Sequence, residues 1–268
     1  MKKYSYSLPR KIICLTEESV ETLYLINRSE LIAGVSAYVK RPSAAQKLPK
    51  VSLFNKSNYK KIKEIHPDLI LGYSDIQKDI ARDLIEMGYN VSISNHRNIQ
   101  GILDYIYQLG LMVDAKTETI NLIDRLLAKI NEAQKLTENL QRKPKVYFEE
   151  WDEPRISAIG YVSELIQLCG GISIYHENSQ NILAKDRIVE DLTTIESNPD
   201  LIIGCWCGKK VRLDQIKSRS GYDKIKAVQN NNVIEVEPEI FLQPGPALLI
   251  DGIDIMLNII KEWSENYE

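Results

Sequence analysis

Short apolar runs alternate with stretches of helical periodicity along most of the chain. Apolar residues spaced three to four positions apart predict helices, for example Ser19–Ile26, Ile76–Met87, Ile99–Leu109 and Leu248–Trp263. The runs between them predict strands at Lys11–Leu15, Leu31–Val35, Leu69–Gly72, Asn90–Ile93, Lys145–Phe148, Leu201–Gly204 and Val233–Val236. Alternation of this kind is typical of parallel sheets covered by helices.

One long segment separates the two series of strands. Residues Asp114–Gln141 contain neither glycine nor proline, and their apolar residues recur at helical spacing. A helix of that length would span roughly 40 Å at about 1.5 Å per residue. It should end before Lys143-Pro144, because proline disfavours a helical conformation in the preceding residue. We therefore predict an α/β lobe over residues 1–113, a connecting helix over 114–142 and a second α/β lobe over 143–268.

The two lobes share a short sequence repeat. The segment Ile65-His66-Pro67-Asp68-Leu69-Ile70-Leu71-Gly72 recurs as Ser197-Asn198-Pro199-Asp200-Leu201-Ile202-Ile203-Gly204. In both, a helical stretch precedes a Pro-Asp turn, and a buried strand then ends at glycine. The fold class is therefore α/β, with two Rossmann-like lobes of parallel strands joined by one long helix. Ligands of open parallel sheets lie beyond the carboxyl ends of the strands, which predicts a ligand cleft between the lobes.

Candidate ligand-binding residues are those that directly follow a predicted strand. After the first strand come Thr16, Glu17, Glu18 and Ser19, where Thr16 is suited to cap the first helix. A capped helix with acids in its first turn is the alternative to ligand contact, and the two are compatible. Aromatic side chains offer a large flat surface with a polar tip at Tyr38, Tyr73 and Trp206, the last beside Cys205. Packing beneath a loop is the alternative for Tyr73 and Trp206.

An acidic motif that contains a tryptophan follows the first strand of the second lobe. We expect Glu149, Glu150 and Trp151 to contact a ligand with apolar faces and either hydrogen-bond donors or positive charge. A solvated acidic turn is the alternative. His96 follows the fourth strand and Gln243 precedes the last helix, so both are further candidates. For His96 the alternative is an ordinary surface histidine, and for Gln243 a simple turn residue.

Composition excludes several classes of function. The net charge of -3 and the absence of a basic stripe argue against nucleic-acid binding. No apolar run approaches 18 residues, so no membrane insertion is expected. The four cysteines do not form a disulfide framework, and they show no zinc spacing with the three histidines. No metal and no cofactor are predicted. A cytoplasmic location follows from the chain as written, because no signal sequence is recognisable, whereas a processed start would leave a periplasmic one.

Motifs of common enzymes are missing from the sequence. It contains no G-x-S-x-G elbow, no P-loop and no G-x-G-x-x-G. Glu149 and Glu150 are adjacent, so in an extended chain they point to opposite sides and form no acid–base pair. We therefore predict a binding protein without catalytic residues. An enzyme that uses carboxylates across the cleft, such as Glu18 with Glu150, is the alternative.

These motifs together resemble the cobalamin-binding, class III periplasmic substrate-binding proteins of ABC importers. The resemblance covers nearly the whole chain. It rests on Ile12–Leu15 with Thr16-Glu17-Glu18-Ser19, on Gly34-Val35-Ser36, on the two Pro-Asp turns, on Phe148–Pro154, on Val162–Ile166 with Cys169-Gly170-Gly171, on Trp206–Lys210 and on Gln243–Ala247. It implies that cobalamin or a related corrinoid is held between the lobes, chiefly against Tyr38, Tyr73, Trp151 and Trp206.

The resemblance also implies an ABC permease as partner, which the family docks through one glutamate on each lobe. This sequence has Lys60 and Leu192 at those positions, although Glu190 and Asp191 are near the second. A cytoplasmic carrier or sensor is therefore an alternative to an importer component. Its ligand would be a corrinoid or another small organic ligand or metal chelate, such as haem or a siderophore. We expect the protein to be a monomer.

Overall fold

The computed structural model describes residues 7–138 and 140–265 of the chain. Ten strands and twelve α-helices lie within these residues. The strands are β1 Ile12–Cys14, β2 Ile32–Ser36, β3 Lys50–Ser52, β4 Leu69–Tyr73, β5 Val91–Ser94, β6 Lys145–Asp152, β7 Arg155–Ser157, β8 Ile172–Ser173, β9 Leu201–Gly204 and β10 Val233–Glu235. The helices are α1 Glu17–Leu25, α2 Tyr59–Ile65, α3 Lys78–Glu86, α4 Ile99–Met112, α5 Lys116–Thr137, α6 Gly160–Leu168, α7 His176–Ser179, α8 Asp191–Ser197, α9 Leu213–Lys217, α10 Lys226–Gln229, α11 Pro238–Phe241 and α12 Ile253–Glu265.

The chain folds into two compact units, and the division falls inside α5. Unit 1 comprises Met1–His96 and Gln100–Arg125, and unit 2 comprises Arg97–Ile99 and Leu126–Glu268. Unit 1 contains a five-stranded parallel sheet in the order β3-β2-β1-β4-β5. Its central strand β1 is buried on both faces, and Ile13 packs with Ile62, Ile70 and Leu84 in an aliphatic core. Continuous apolar strands such as β1 are typical of parallel sheets covered on both sides.

Unit 2 contains a second five-stranded sheet, with β10, β9, β6 and β7 side by side and β8 beside the start of β6. All pairs are parallel except β6 with β7, which form an antiparallel hairpin across the Glu153-Pro154 turn. This hairpin is an antiparallel addition to the predicted parallel sheet. The predicted end of the strand at Phe148 was wrong, because β6 runs on through the acidic motif to Asp152.

The helices follow their predicted positions more closely than their predicted ends. The long helix begins at Lys116, not at Asp114, and ends at Thr137, before the predicted Gln141. Asp114 has a φ of 52°, in the left-handed region, and this conformation separates α4 from α5. The last helix begins at Leu248 as predicted, but its first five residues form a π-helix before α12 continues.

In unit 1, the Pro-Asp turn fastens the sheet at the amino ends of its strands. Asp68 Oδ2 accepts hydrogen bonds from the backbone N–H of Arg10 at 2.7 Å and of Lys11 at 2.9 Å. Lys11 Nζ donates to the carbonyl of Ile65, and Asn90 Nδ2 donates to the carbonyl of Asp68. One carboxylate and one amide side chain thus connect the starts of β1, β4 and β5.

Unit 2 repeats this arrangement except for one hydrogen bond, because Pro144 stands where unit 1 has Arg10 and has no N–H to donate. Asp200 Oδ2 accepts from the backbone N–H of Lys145 at 2.9 Å, Lys145 Nζ donates to the carbonyl of Ser197, and Asn232 Nδ2 donates to the carbonyl of Asp200. The preceding helices also end alike, because His66 and Asn198 both adopt the left-handed conformation. The short sequence repeat therefore marks a structural repeat that includes lysine and asparagine partners outside it.

Candidate functional site

The first group of predicted residues lies at the carboxyl end of β1. Thr16 occupies the N-cap position of α1, as predicted, but its side chain does not cap the helix. Its Oγ1 donates instead to Glu18 Oε1 at 2.5 Å, and Ser19 Oγ donates to the Thr16 carbonyl at 3.0 Å. Thr16, Glu18 and Ser19 are buried, whereas Glu17 is half-buried and accepts from the backbone N–H of Lys40.

Burial determines the protonation of Glu18. Removal from water raises the pKa of this carboxyl to about 7, although the hydrogen bond from Thr16 acts in the opposite direction. The buried thiol of Cys14 has a pKa raised to about 12 by its own burial. Burial also raises the pKa of Tyr105, and the charge of Glu18 adds to that increase. Burial therefore shifts Glu18 toward its neutral form relative to a glutamate in water.

The aromatic candidates of unit 1 differ in how accessible they are. Tyr38 is 49% exposed just beyond β2, so its ring is available to a ligand. Tyr73 is buried, and its hydroxyl donates to the carbonyl of His96 at 2.6 Å. The imidazole of His96 is half-buried and stacks on Tyr105 with a centroid distance of 5.0 Å. Tyr73 and His96 are thus brought together, and their rings meet edge to face at 5.2 Å.

In unit 2 the acidic motif lies within β6 and has cationic partners. Glu149 is 0% exposed and forms a bidentate pair with Arg219, with oxygen–nitrogen distances of 2.5 and 2.9 Å. Tyr147 Oη and Trp206 Nε1 donate to the same carboxylate at 2.9 and 3.2 Å. Arg219 balances the charge of Glu149, and the hydrogen bond from Trp206 Nε1 to this carboxylate fixes the orientation of the indole ring.

The neighbouring acids are paired on the opposite side of the strand and at its end. Glu150 accepts from both terminal nitrogens of Arg187, at 2.6 and 3.1 Å, and Arg187 also donates to the Ser157 carbonyl. Asp152 pairs with Lys209. Burial raises the pKa of Asp152, but the hydrogen bond and charge of Lys209 outweigh this effect and hold it below its usual value. Glu149 and Glu150 are thus held by two different arginines.

Two tryptophans and one lysine form a compact group where β6 and β9 end. Trp206 is buried in the core of unit 2, and the half-buried Trp151 packs against the same core. Lys209 Nζ lies 4.1 Å from the ring centroid of Trp151 and 5.0 Å from that of Trp206, within the range of cation–π attraction. Cys205 is buried beside Trp206, while Cys207 is exposed. We refer to Trp151, Trp206, Lys209 and Asp152 as the indole cluster.

Gln243 lies in the turn after α11 and is buried. Its Nε2 donates to the Glu239 carbonyl at 2.6 Å, whereas its Oε1 has no hydrogen-bond partner among the described residues. An unsatisfied buried acceptor is costly unless something else donates to it. This oxygen is therefore a candidate acceptor for a ligand.

Sequence reasoning missed the cations. Arg187, Lys209 and Arg219 lie 37, 57 and 70 residues from the acids that they bind, and no local pattern joins them. Lys209 alone carried a usable signal, since it follows Trp206 closely. A surface groove of 860 Å³ in unit 2 lies elsewhere, between α5 and α6, with Gln134, Lys143 and Glu164 in its lining. In residues 7–138 and 140–265, no cluster of three or more histidine, cysteine or acidic side chains could hold a metal ion.

The sequence matches the pattern of a known family, described as periplasmic binding protein, over residues 12–240. The chain belongs to this periplasmic binding protein family. Membership implies a small-molecule ligand and an ABC permease as partner. An uncharacterized ABC transporter substrate-binding lipoprotein of Bacillus subtilis, YvrC, is 21% identical over 255 residues, which cover 92% of this chain and 78% of that protein.

Solved periplasmic binding proteins share the fold of this chain. The periplasmic vitamin B12 binding protein BtuF of Vibrio cholerae is 19% identical, with a TM-score of 0.76 over 96% of this chain and 98% of that one. The periplasmic heme-binding protein RhuT of Roseiflexus sp. RS-1 is 16% identical, with a TM-score of 0.81 over 95% and 99%. At these identities the similarity establishes the two-lobed α/β fold and not the ligand.

The family bears on the predicted location as well. The names of these periplasmic binding proteins refer to the periplasm or to a lipoprotein, so they give the predicted cytoplasmic location no support. Within the described part of the chain, no helix combines the length and apolarity needed to span a membrane.

Proposed function

We propose that this periplasmic binding protein is a non-enzymatic binder of a large flat ring ligand, in the first place cobalamin or a related corrinoid. The indole cluster carries the proposal, because the half-buried Trp151 and the buried Trp206 meet one exposed cation at the carboxyl end of β6 and β9. Parallel α/β sheets bind ligands at that end. In unit 1, the exposed ring of Tyr38 follows the carboxyl end of β2 and is the proposed aromatic contact of that unit.

Binding without catalysis is supported by the state of the carboxylates. Glu149 and Glu150 are each held by an arginine, so neither is available as a general base. Glu18 is buried and hydrogen-bonded by Thr16. Their proposed role is to fix the aromatic residues and the first turn of α1 at the ligand site. Thr16, Ser19, Tyr73, His96, Cys205 and Gln243 complete the proposed set of ligand-site residues.

Haem is the second candidate ligand, on the observation that RhuT, a structural relative, is a heme-binding protein. Both ligands present a wide ring face to aromatic side chains, so the indole cluster alone does not separate them. A titration separates them directly. Purified protein is titrated with cobalamin, cobinamide and haemin, and binding is followed by tryptophan fluorescence and by calorimetry.

We expect saturable one-to-one binding of one ring ligand at micromolar or tighter affinity. Replacing Trp151 by alanine should weaken it by about tenfold or more, because a buried aromatic contact is lost. Trp263 is also in unit 2 but lines a groove with Lys143 and Asp200, before the starts of β6 and β9, so Trp263→Phe is a control that should bind like the wild type. Failure of all three probes to bind would refute the proposed ligand class while leaving the family membership intact.

The partner is proposed to be an ABC permease, with a carrier or sensor as the second candidate role. The second role is favoured by Lys60 and Leu192, which lie in the first turns of α2 and α8 where the resemblance places docking glutamates. Leu192 is 63% exposed and Lys60 is exposed, so neither position offers an acid to a permease. Fractionation of native cells tests this choice. Protein outside the cytoplasmic membrane supports the importer, and protein in the cytosol supports the carrier.

A further inference from the structure

The acidic motif at the end of β6 suggests a negatively charged site in the sequence, but the structure shows a different distribution of charge. The motif supplies Glu149, Glu150 and Asp152, and each carboxylate is paired with one cation. The charges balance within these three pairs, and Glu153, the last acid of the motif, is exposed. The charge that a ligand meets at this site therefore depends on which of the paired groups is accessible.

The most exposed of these six paired groups is an ammonium. The side chain of Lys209 is 40% exposed, whereas those of Arg187 and Arg219 are 2% and 9% exposed. Glu150 is the most exposed of the three paired acids, at 20%. Asp152, the partner of Lys209, is itself 9% exposed. The cation is therefore more accessible to a ligand than its own counterion is.

The position of this ammonium ties it to the aromatic surface. Lys209 Nζ lies over Trp151 at 4.1 Å and over Trp206 at 5.0 Å. A ring ligand that packs on Trp151 would bring the substituents at its edge to Lys209. The residue before Lys209 is Gly208, with a φ of 76° and nothing within 4 Å of the position of a Cβ, so the turn has space around it. Small shifts of this turn can adjust the ammonium to a ligand.

We infer that Lys209 is a specificity-determining residue that selects ring ligands carrying a carboxylate or phosphate at their edge. This inference rests on the proposed function, because it names the chemical class of ligand at the same site. It reverses the expectation from sequence that the motif accepts hydrogen bonds from a donor-rich or cationic ligand. The acids Glu149, Glu150 and Asp152 orient cations and tryptophan, and Lys209 contacts the anionic group.

The test compares ligands with and without an anionic group. Haemin and haemin dimethyl ester differ only in whether the two carboxylates are free, so this pair decides the test. Cobalamin and cobinamide form a second pair, which differs in the whole nucleotide loop that carries the phosphodiester. Four proteins are used: wild type, Lys209→Arg, Lys209→Gln and Lys210→Gln. Lys210 is the neighbouring exposed lysine and does not belong to the indole cluster, so its variant is the matched control.

For the wild type we expect the anionic member of a pair to bind about 10–100-fold more tightly, the range for one hydrogen bond to a charged group. Lys209→Gln should lose this preference, while Lys209→Arg and Lys210→Gln retain it. The preference should also shrink as sodium chloride is raised from about 0.05 to 0.5 M. Tryptophan fluorescence under urea checks that Lys209→Gln is folded.

Three outcomes overturn the inference. Equal binding of both members of each pair by the wild type would do so, as would an unchanged preference in Lys209→Gln. In either case the proposed function survives, because a ring ligand still binds. If the wild type binds none of the four probes, the proposed function fails, and this inference fails with it.

Discussion

Arg219 gives the sharpest stability prediction, because its carboxylate partner is completely buried. Replacing it by methionine keeps much of the apolar stem but leaves Glu149, which is 0% exposed, without its bidentate partner. Removing one member of a buried ion pair costs about 3–5 kcal/mol. With a urea m-value of about 2 kcal/mol/M, the unfolding midpoint should fall by about 1.5–2.5 M.

The assay uses a property of the sequence. All three tryptophans, Trp151, Trp206 and Trp263, lie in unit 2, so fluorescence excited at about 295 nm reports on the unfolding of that unit. Arg212 lies in the same unit, is exposed and is the matched control. Its replacement by methionine should change the free energy of unfolding by no more than about 0.5 kcal/mol.

A second substitution tests the stated cause. The double variant Glu149→Gln/Arg219→Met removes both charges of this buried pair. Glutamine still offers an acceptor oxygen for Tyr147 or Trp206. The double variant should therefore be more stable than Arg219→Met alone. The reasoning is refuted when Arg219→Met unfolds like the Arg212 control, or when the second substitution lowers stability further.

Three further predictions concern other parts of the chain. The pKa of Glu18 is raised from 4.5 to about 7, so the folded state holds this proton more tightly than the unfolded state does. As the pH rises from 4.5 to about 7, unit 1 should therefore lose on the order of 3 kcal/mol of unfolding free energy. Hydrogen exchange of α1 amides should show this loss in the wild type and not in Glu18→Gln, and identical pH responses would contradict it. Gly110→Ala would place a Cβ 1.9 Å from Thr119 Oγ1, so thermal unfolding by circular dichroism should reveal a destabilisation of about 1–3 kcal/mol, whereas an unchanged midpoint would exclude this close approach. Gln243→Leu removes a buried acceptor without a partner in the described residues. The free energy of unfolding in urea should therefore change by less than about 1 kcal/mol, while the affinity for the bound ring ligand falls about tenfold. A large loss of stability with unchanged affinity would show a structural role instead.

Local patterns were sufficient to predict the fold. Buried strands such as β1 and β4 appear in the sequence as continuous apolar runs, and the Pro-Asp turns recur within a short window. These features depend on neighbouring residues, so a single sequence contains them. The ends of elements were predicted less well, because they depend on individual backbone angles such as that of Asp114.

The chemistry of the candidate site could be predicted only in part. The sequence identified Glu149, Trp151 and Trp206, but not that the acids are neutralised. Their partners are far along the chain, and the pairing exists only after β6, β9 and the following helices come together. The acidic motif therefore gave no sign of the exposed ammonium of Lys209 beside Trp151. It also continued as strand, because β7 pairs with its final residues, a contact that alternation of apolar residues does not reveal.

The fastening at the amino ends of the strands has a consequence for redesign. The donors to Asp68 and Asp200 are backbone N–H groups of residues 10, 11 and 145, which nearly any amino acid provides. Substitutions on the donor side should be tolerated broadly, provided that they avoid proline, whereas the two aspartates should tolerate few replacements. In unit 2 the hydrogen bonds of Asp200 are at the start of β6, whereas the indole cluster is at its end, so substitutions of exposed residues near Lys209 leave those bonds untouched. The same scaffold could in this way be adapted to ring ligands of different charge.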